Sequence, residues 1–228
     1  MVNADDSVGD GRVASVSPAF HQPAGSHRGV LAWQWPVPRR VLSSGPVRGG
    51  LGSLSWMLSI GVPLNYRRTD LDDHADEVAS SLHLAGEGVA LFTAADVQHV
   101  QRSEVHGTSA DVTVGISKPT WAADPAGGWS DWMPGTINTV VQVLTPLDVS
   151  AAVNAVMTAT EAKTQAFFEA GIPGTGTASD AVALVWPDTS DRLVAFAGPR
   201  SEIGSDIAQA VHGAVAAGID NWVERNLQ

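Results

Sequence analysis

The chain has 228 residues, 44% of them hydrophobic, and carries 24 acidic against 13 basic side chains, a net charge of −11. This length and hydrophobic content predict a packed globular protein. The negative charge argues against a nucleic-acid-binding protein, which needs a basic surface. With no cysteine, disulfides, thiolate zinc sites and a cysteine nucleophile are excluded. No apolar run reaches the roughly 18 residues of a membrane span, and the N-terminus lacks the features of a signal peptide, so we expect a cytoplasmic protein without membrane contact.

The first part of the chain differs in composition from the rest. It is polar and rich in glycine, serine, proline and aspartate, which predicts a disordered tail at residues 1–28. Residues 29–228 contain neither an internal repeat nor a linker, so we expect them to form one domain. Its first strand is predicted at residues 30–35, where the pattern alternates, and Pro36 and Pro38 are expected to end it.

The next stretch is expected to supply further strands and one helix. Residues 41–50 are predicted to form a short strand that ends in a glycine-rich turn. Residues 51–62 are predicted to be irregular or strand-like, because their apolar residues follow neither the helical nor the strand periodicity clearly. Residues 69–85 predict a helix with acidic residues in its first turn and an apolar stripe along one side. Residues 88–95 are mostly apolar, which predicts a buried strand.

A predicted hairpin precedes a long loop. Residues 97–105 and 111–117 are expected to pair through the polar turn between them, and residues 118–133 form a loop rich in proline and glycine. The loop contains three tryptophans, Trp121, Trp129 and Trp132. They are expected either to cap the core or to form an apolar wall against a large flat ligand.

A strand at residues 135–144 and a helix at residues 146–170 follow the loop. On a helical wheel, one apolar side of the helix is predicted to face inward through Val149, Val153, Val156, Thr160, Thr164 and Phe167. Glu161 and Lys163 fall on the two edges of that side, a position from which a side chain can reach either a pocket or solvent. A glycine and a proline at positions 171 and 173 are expected to end the helix.

The turn G-I-P-G-T-G-T-A-S-D at residues 171–180 leads into the last part of the fold. Strands are predicted at residues 181–186 and 193–197, and a final helix at residues 201–226. The element order indicates an α+β protein, a single domain in which helices pack on a mixed or largely antiparallel sheet.

Residues with chemical potential collect at strand ends and turns, where sites are usually built. They are Ser43, Ser44, Thr93, Asn138, Glu161, Lys163, Gly174, Thr175, Gly176, Thr177, Ser179 and Asp180. No metal-ligand spacing, G-x-S-x-G motif or P-loop is present. Hydroxyls, an amide, a lysine and carboxylates are the components of a hydrolytic or acyl-transfer site. The alternative is that the threonines and Asp180 only stabilise a turn.

Seven strings in order along the chain resemble one known family, the adenosylcobinamide amidohydrolases (CbiZ). They are S-S-G-P-V-R-G-G (43–50), A-L-F-T-A-A-D-V (90–97), T-V-G-I-S-K-P (113–119), G-T-I-N-T-V-V (135–141), T-A-T-E-A-K-T-Q-A-F (158–167), G-T-G-T-A-S-D-A-V (174–182) and F-A-G-P-R-S-E-I-G (196–204). Four features depart from the family pattern: Ala178 stands in place of a polar residue, Ser179 in place of threonine and Lys118 in place of asparagine, and the tryptophan loop is unlike the rest of the pattern.

The resemblance implies hydrolysis of the amide between aminopropanol and the corrin ring of adenosylcobinamide, giving adenosylcobyric acid in corrinoid salvage. The cobalt would belong to the corrinoid substrate, so the resemblance requires no further cofactor or metal. The tryptophans of the loop and the residues of the turn, with Thr93, would contact the substrate. A homo-oligomer is left open.

Several catalytic roles are compatible with this implied reaction. Asp180 or Glu161 would activate water, and Lys163 would orient a carboxylate or protonate the leaving amine. Asn138 and the backbone N–H groups of residues 174–177 would stabilise the oxyanion. Alternatively, Ser43 or Ser44 would be a nucleophile with Lys163 as its base. A different hypothesis is a corrinoid-binding or carrier module without catalysis.

Overall fold

The computed structural model describes residues 14–24, 26, 28–125 and 135–226. Within them the chain forms eight strands and three α-helices. The strands are β1 (Ala19–His21), β2 (Val30–Ser43), β3 (Gly50–Gly61), β4 (Gly88–Thr93), β5 (Gln101–Val105), β6 (Thr108–Gly115), β7 (Thr136–Gln142) and β8 (Ala181–Pro187). The helices are α1 (Leu71–Ser81), α2 (Val149–Glu169) and α3 (Glu202–Asn226), with a short 3₁₀ turn at Val97–His99.

All eight strands join one mixed sheet. Its order is β4-β3-β2-β8-β7-β6-β5, and β1 pairs with β2 beside this path. The β3/β4 and β7/β8 pairs are parallel, whereas the other pairs are antiparallel. The predicted α+β class, with helices packed on a mixed sheet, is therefore confirmed.

Strand β2 continues through the two prolines that were expected to end it. Its register with β3 shifts between Gln34 and Arg39, the interval that holds Pro36 and Pro38. A bulge accommodates prolines because the missing N–H groups lie where the ladder is already interrupted. Only the second half of β2, from Arg39 onward, pairs with β8, so the bulge separates two differently paired halves of the strand.

The sheet has a buried cluster on each face and closes partly over itself. Helices α2 and α3 cover one face of β6, β7 and β8, and α1 covers β2, β3 and β4. Between these layers lies an inner cluster that includes Trp33, Met57 and Val140. Trp33 of β2 donates from its indole nitrogen to Asp111 of β6 over 3.0 Å, so strands far apart in the sheet order meet through this inner cluster.

Part of the predicted tail is a strand. Residues Ala19–His21 form β1 and pair with Val30–Ala32 of β2. The side chain of Gln142 also receives a hydrogen bond from Val16 N over 3.0 Å and donates one to Val16 O over 2.7 Å. The first half of β2 lacks β8 as a neighbour, and its open edge provides backbone partners that β1 takes up. Residues 1–13 lie outside the described part.

The inward side of α2 differs from the predicted one. Its buried side is lined by alanines with Lys163: Ala151, Ala152, Ala155, Ala159, Ala162 and Ala166. By contrast, Val149 and Val153, which were expected to face inward, are about half exposed. Small side chains let α2 pack closely on both the sheet and α3. The prediction is confirmed for Phe167, which is fully buried, and wrong for Val149 and Val153.

A second local difference lies after β8. Residues 193–197 do not form the predicted return strand, although Val194 makes a single parallel bridge with Leu147 before α2. One bridge positions the segment against the sheet without extending the sheet. Among the described residues, none of the helices has the length and hydropathy needed to cross a bilayer.

Candidate active site

Two parallel strands and one helix bring together the lysine and the aspartate that the sequence singled out. In the β7/β8 pair Asn138 lies opposite Ala181, so the first residues of both strands meet at one edge of the sheet. Asp180 precedes β8 there, and Lys163 extends toward it from the buried side of α2. Lys163 donates to Asp180 Oδ2 in an ion pair whose side chains are only 11% and 13% exposed.

The Asp180 carboxylate has four donor groups around its two oxygens. Besides Lys163, Ile137 N lies 3.0 Å from Oδ1 and Thr177 N lies 3.1 Å from Oδ2. The Thr177 hydroxyl also contacts Oδ1. An ionised carboxylate has about four lone-pair positions, so these donors, with the Thr177 proton shared between Asp180 and Gly135 O, occupy most of its accepting capacity. Asp180 thereby connects α2, the turn and the beginning of β7.

Three hydroxyls hold the turn against the residue that leads into β7. The Thr177 hydroxyl lies 2.7 Å from Gly135 O, and the Ser179 hydroxyl donates to the same oxygen over 2.9 Å. Thr136 Oγ1 lies 2.8 Å from Ser179 Oγ and is the donor there, because the Ser179 proton is already engaged. These predicted ligand-contacting hydroxyls are therefore engaged in positioning the turn.

The loop after β6 packs against the other side of the turn. Thr175 N donates to Thr120 O over 2.9 Å, and Thr120 N donates to Gly176 O over 2.8 Å. A Cβ at Gly174 would lie 2.9 Å from Thr120 N, so only glycine allows this approach. Trp121 is 53% exposed next to this contact. Trp129 and Trp132 lie outside the described residues.

Gly176 lies directly against the ion pair. A Cβ built there would come within 2.2 Å of Asp180 Oδ2 and 2.3 Å of Lys163 Nζ, closer than any real side-chain contact. Its N–H donates to no described residue, whereas the N–H groups of Gly174, Thr175 and Thr177 are all engaged. Within the described residues, the turn thus presents the Gly176 N–H, without an acceptor, next to Lys163.

Asn138 lies on the other face of β7. Its neighbour Ile137 belongs to the cluster under α2 and α3, whereas Asn138 donates from Nδ2 to Phe92 O over 3.2 Å across the inner cluster. Ser59, which sequence reasoning did not select, lies 3.4 Å from the same nitrogen. The Asn138 Oδ1 atom is buried without a partner among the described residues. Successive side chains of a strand face opposite sides of the sheet, so the Asn138 side chain lies on the opposite side from the Asp180 carboxylate.

The two serines and Thr93 are engaged in local contacts. Ser43 Oγ accepts from Gly45 N, and Thr93 Oγ1 accepts from Ala95 N, each over 3.0 Å. The Ser44 hydroxyl accepts from Val182 N over 3.0 Å. Within the described chain, neither serine is hydrogen-bonded to Lys163. The structure therefore does not assemble the serine–lysine pair that the sequence left open.

Glu161 is separated from Lys163 by the helix itself. The two residues are two positions apart on α2, about 200° around its axis, and Glu161 is exposed whereas Lys163 is buried. Among the residues that the structure describes, no group of three or more histidines, aspartates or glutamates could hold a metal ion.

A second polar cluster, which sequence reasoning missed, surrounds the beginning of α1. The Tyr66 hydroxyl lies 2.7 Å from His74 Nδ1, and both rings pack near Phe92, at centroid distances of 5.9 and 5.5 Å. The available signal was the chain's one tyrosine, placed eight residues before a histidine on a short helix.

This cluster predicts a pH-dependent stability. Burial, and then the positive charge of Arg68, lower the pKa of His74, while Glu77 and Asp70 act in the opposite sense. The unfolded chain therefore binds a proton more readily, and the free energy of unfolding should fall as the pH drops below 6.5, the ordinary pKa of histidine. Urea denaturation between about pH 7 and pH 5 should show a smaller loss in His74→Gln than in the unmodified protein. Equal losses would contradict this role of His74.

Comparisons with known proteins identify the family of this chain. Residues 16–227 match the family model described as adenosylcobinamide amidohydrolase (CbiZ). Two similar proteins carry that name. The one from Methanosarcina mazei is 26% identical over 182 residues, which cover 76% of this chain and 87% of the relative. The one from Halobacterium salinarum is 29% identical over 203 residues, which cover 86% of each chain.

A buried lysine–carboxylate pair beside an unengaged backbone N–H suits hydrolysis of an acyl compound, and the class indicated by the comparisons is the amidohydrolases. Because the family model spans nearly the whole chain, the protein belongs to the CbiZ family of adenosylcobinamide amidohydrolases. The resemblance found in the seven sequence strings is thereby confirmed.

Proposed function

We propose that this protein hydrolyses the amide that joins aminopropanol to the corrin ring of adenosylcobinamide. Water adds to the carbonyl carbon, the C–N bond breaks, and the products are adenosylcobyric acid and free aminopropanol. The observation that supports this most is the Lys163 ammonium group, held by Asp180 beside the Gly176 N–H in a chain of this family. The reaction would serve corrinoid salvage in the cytoplasm.

Lys163 is best suited to polarise the carbonyl group. An ammonium has three N–H donors, and Asp180 accepts only one of them in the described chain. The remaining donors and the unengaged Gly176 N–H would together stabilise the negative charge that develops on the carbonyl oxygen. The surroundings are nearly dry, and this strengthens such an interaction relative to water. Lys163 also lies where it can pass a proton to the leaving amine.

Asp180 is better suited to positioning than to proton abstraction. Its oxygens already face Lys163, two backbone N–H groups and the Thr177 hydroxyl, which leaves little accepting capacity for a water molecule. Its role is to hold Lys163 in place and to keep the turn closed on β7. This revises the sequence hypothesis in which Asp180 or Glu161 acts as the general base.

The substrate supplies the cobalt, so the chain would need no ion of its own for this reaction. Trp121 is exposed beside the turn, and its indole ring offers a flat apolar surface for part of the macrocycle. Thr120 and Thr175 fix the backbone on which Trp121 is carried. These contacts support a ligand-facing role for the described part of the tryptophan loop.

One assay tests the proposed reaction against a carrier function. Purified protein is incubated with adenosylcobinamide, and the release of aminopropanol and the formation of adenosylcobyric acid are followed by chromatography and mass spectrometry. We expect both products in equal amounts. Tight binding of the corrinoid without release of aminopropanol would instead support the non-catalytic binding module.

A further inference from the structure

A cleft of about 500 Å³ opens between α1 and the adjoining ends of β2 and β3. Its walls are mostly apolar and include Val30, Ile60, Val62 and Val78. The Tyr66–His74 pair described above lies in its lining, so the cleft combines an apolar body with a planar polar end. Such a combination is typical of a small-molecule site, and the volume is in the ordinary range for one.

The charges around the cleft restrict the ligand. Arg68, the one cation among the described lining residues, donates to Glu77 Oε2 and to Asp70 Oδ2, each over 2.7 Å. Its charge is therefore already balanced by two carboxylates, and an added phosphate would meet their repulsion. Burial lowers the pKa of His74, which keeps its imidazole neutral near neutral pH. The cleft thus favours an uncharged, planar, hydrogen-bonding group.

A chain of contacts links the cleft with the candidate active site. The Tyr66 ring stacks on Phe92, whose backbone oxygen accepts from Asn138. Asn138 lies opposite Ala181, the residue that follows Asp180. Three successive contacts therefore connect the lining of the cleft with the beginning of β8, and the Lys163 ion pair lies on the opposite side of that strand end.

We propose that this cleft binds the adenosyl group of the corrinoid, with the adenine stacked among the aromatic rings beside Tyr66. The inference rests on the proposed function for the identity of the substrate. The adenosyl group contains a planar base with both donors and acceptors and carries no phosphate, as the cleft requires. It belongs to the same molecule that carries the scissile amide, and under this proposal that molecule spans the strand end between the cleft and Lys163. The whole corrin ring is much larger than the cleft and must remain outside it.

The binding test uses 5′-deoxyadenosine as the probe and adenosine monophosphate as its charged counterpart, measured by isothermal titration calorimetry with the full chain. Tyr66→Ala removes the stacking ring, and Ser81→Trp narrows the rim of the cleft from its exposed side. Phe168→Ala, which removes an aromatic ring that is 82% exposed on α2, is the matched control. Thermal unfolding of each variant establishes that it is folded.

Binding of the nucleoside should weaken roughly 5- to 150-fold in Tyr66→Ala, the range that loss of one base-stacking contact predicts, and at least about tenfold in Ser81→Trp, where the narrowed rim excludes the base. Phe168→Ala should bind as the unmodified protein does, and the monophosphate should bind at least about tenfold more weakly than the nucleoside. Equal nucleoside binding in all four proteins, or none in any, would overturn the inference.

Kinetics separate this inference from the proposed function. In Tyr66→Ala the KM for adenosylcobinamide should rise, whereas the KM for hydroxocobinamide, which lacks the adenosyl group, should not change. If the unmodified protein hydrolyses adenosylcobinamide but Tyr66→Ala leaves its KM unchanged, the adenosyl site is refuted and the hydrolase stands. If the nucleoside binds as expected but no amide is cleaved, the cleft inference stands and the proposed hydrolysis fails.

Discussion

Replacing Lys163 by methionine is expected to lower the turnover number for adenosylcobinamide by at least about 100-fold, with little change in KM. The reason is that a donor aimed at the developing oxyanion acts mainly in the transition state. Methionine keeps the length and apolar stem of the side chain and removes its charge. Initial rates of aminopropanol release at saturating and subsaturating substrate measure both constants.

Two further variants determine what such a loss means. Glu161→Gln, on the exposed side of the same helix, should retain close to full activity. Asp180→Asn should lose activity together with stability, by as much as about 3–5 kcal/mol, because it leaves the buried Lys163 charge without its partner. Full turnover in Lys163→Met, or a large loss in Glu161→Gln alone, would refute the role assigned to the ion pair.

Gly176→Ala is expected to impair both catalysis and folding. The added Cβ would lie 2.2–2.3 Å from atoms of both partners in the ion pair, so Asp180 and Lys163 must separate or the turn must shift. Overpacking of this kind costs about 1–3 kcal/mol of stability. Displacement of Lys163 and of the Gly176 N–H together should lower turnover by at least about 100-fold. Thermal unfolding and initial rates measure the two effects.

Gly52→Ala provides the matched control for this substitution. A Cβ at Gly52 would meet only Val41 Cγ1, at an ordinary contact distance of 3.8 Å. We expect near-normal turnover and a small change in stability. If Gly176→Ala behaved in the same way, close packing of the turn on the ion pair would not be needed for activity.

Much of the site was accessible from local sequence. The turn at residues 171–180 combines glycines, hydroxyls and one carboxylate, and that composition predicted a close approach of backbone to polar side chains. Lys163 was selected because it lies on the helix that leads into the turn. The seven family strings then indicated both the family and the class of enzyme, and the comparisons confirm both.

The geometry within the site was not accessible in the same way. Asn138 and Asp180 are placed together by the β7/β8 register, yet their side chains face opposite sides of the sheet. The acceptors of the turn's backbone N–H groups include Thr120, which lies in another part of the chain, and Asp180, whose side chain folds back over the turn. These contacts decide which N–H groups remain without an acceptor. Hydrogen bonds between distant residues leave no periodic signal in the sequence.

By itself, therefore, the sequence determined the family, the α+β class and the residue types of the turn, because local periodicity and motif order carry that information. The tertiary structure decided which side of α2 is buried, since alanines rather than larger residues allow the sheet and α3 to approach. It also decided that β1 pairs with β2, because a bulge leaves half of β2 with an open edge. Most of all, it placed Lys163, Asp180 and Gly176 in contact, because α2 packs on the face of the sheet where β8 begins.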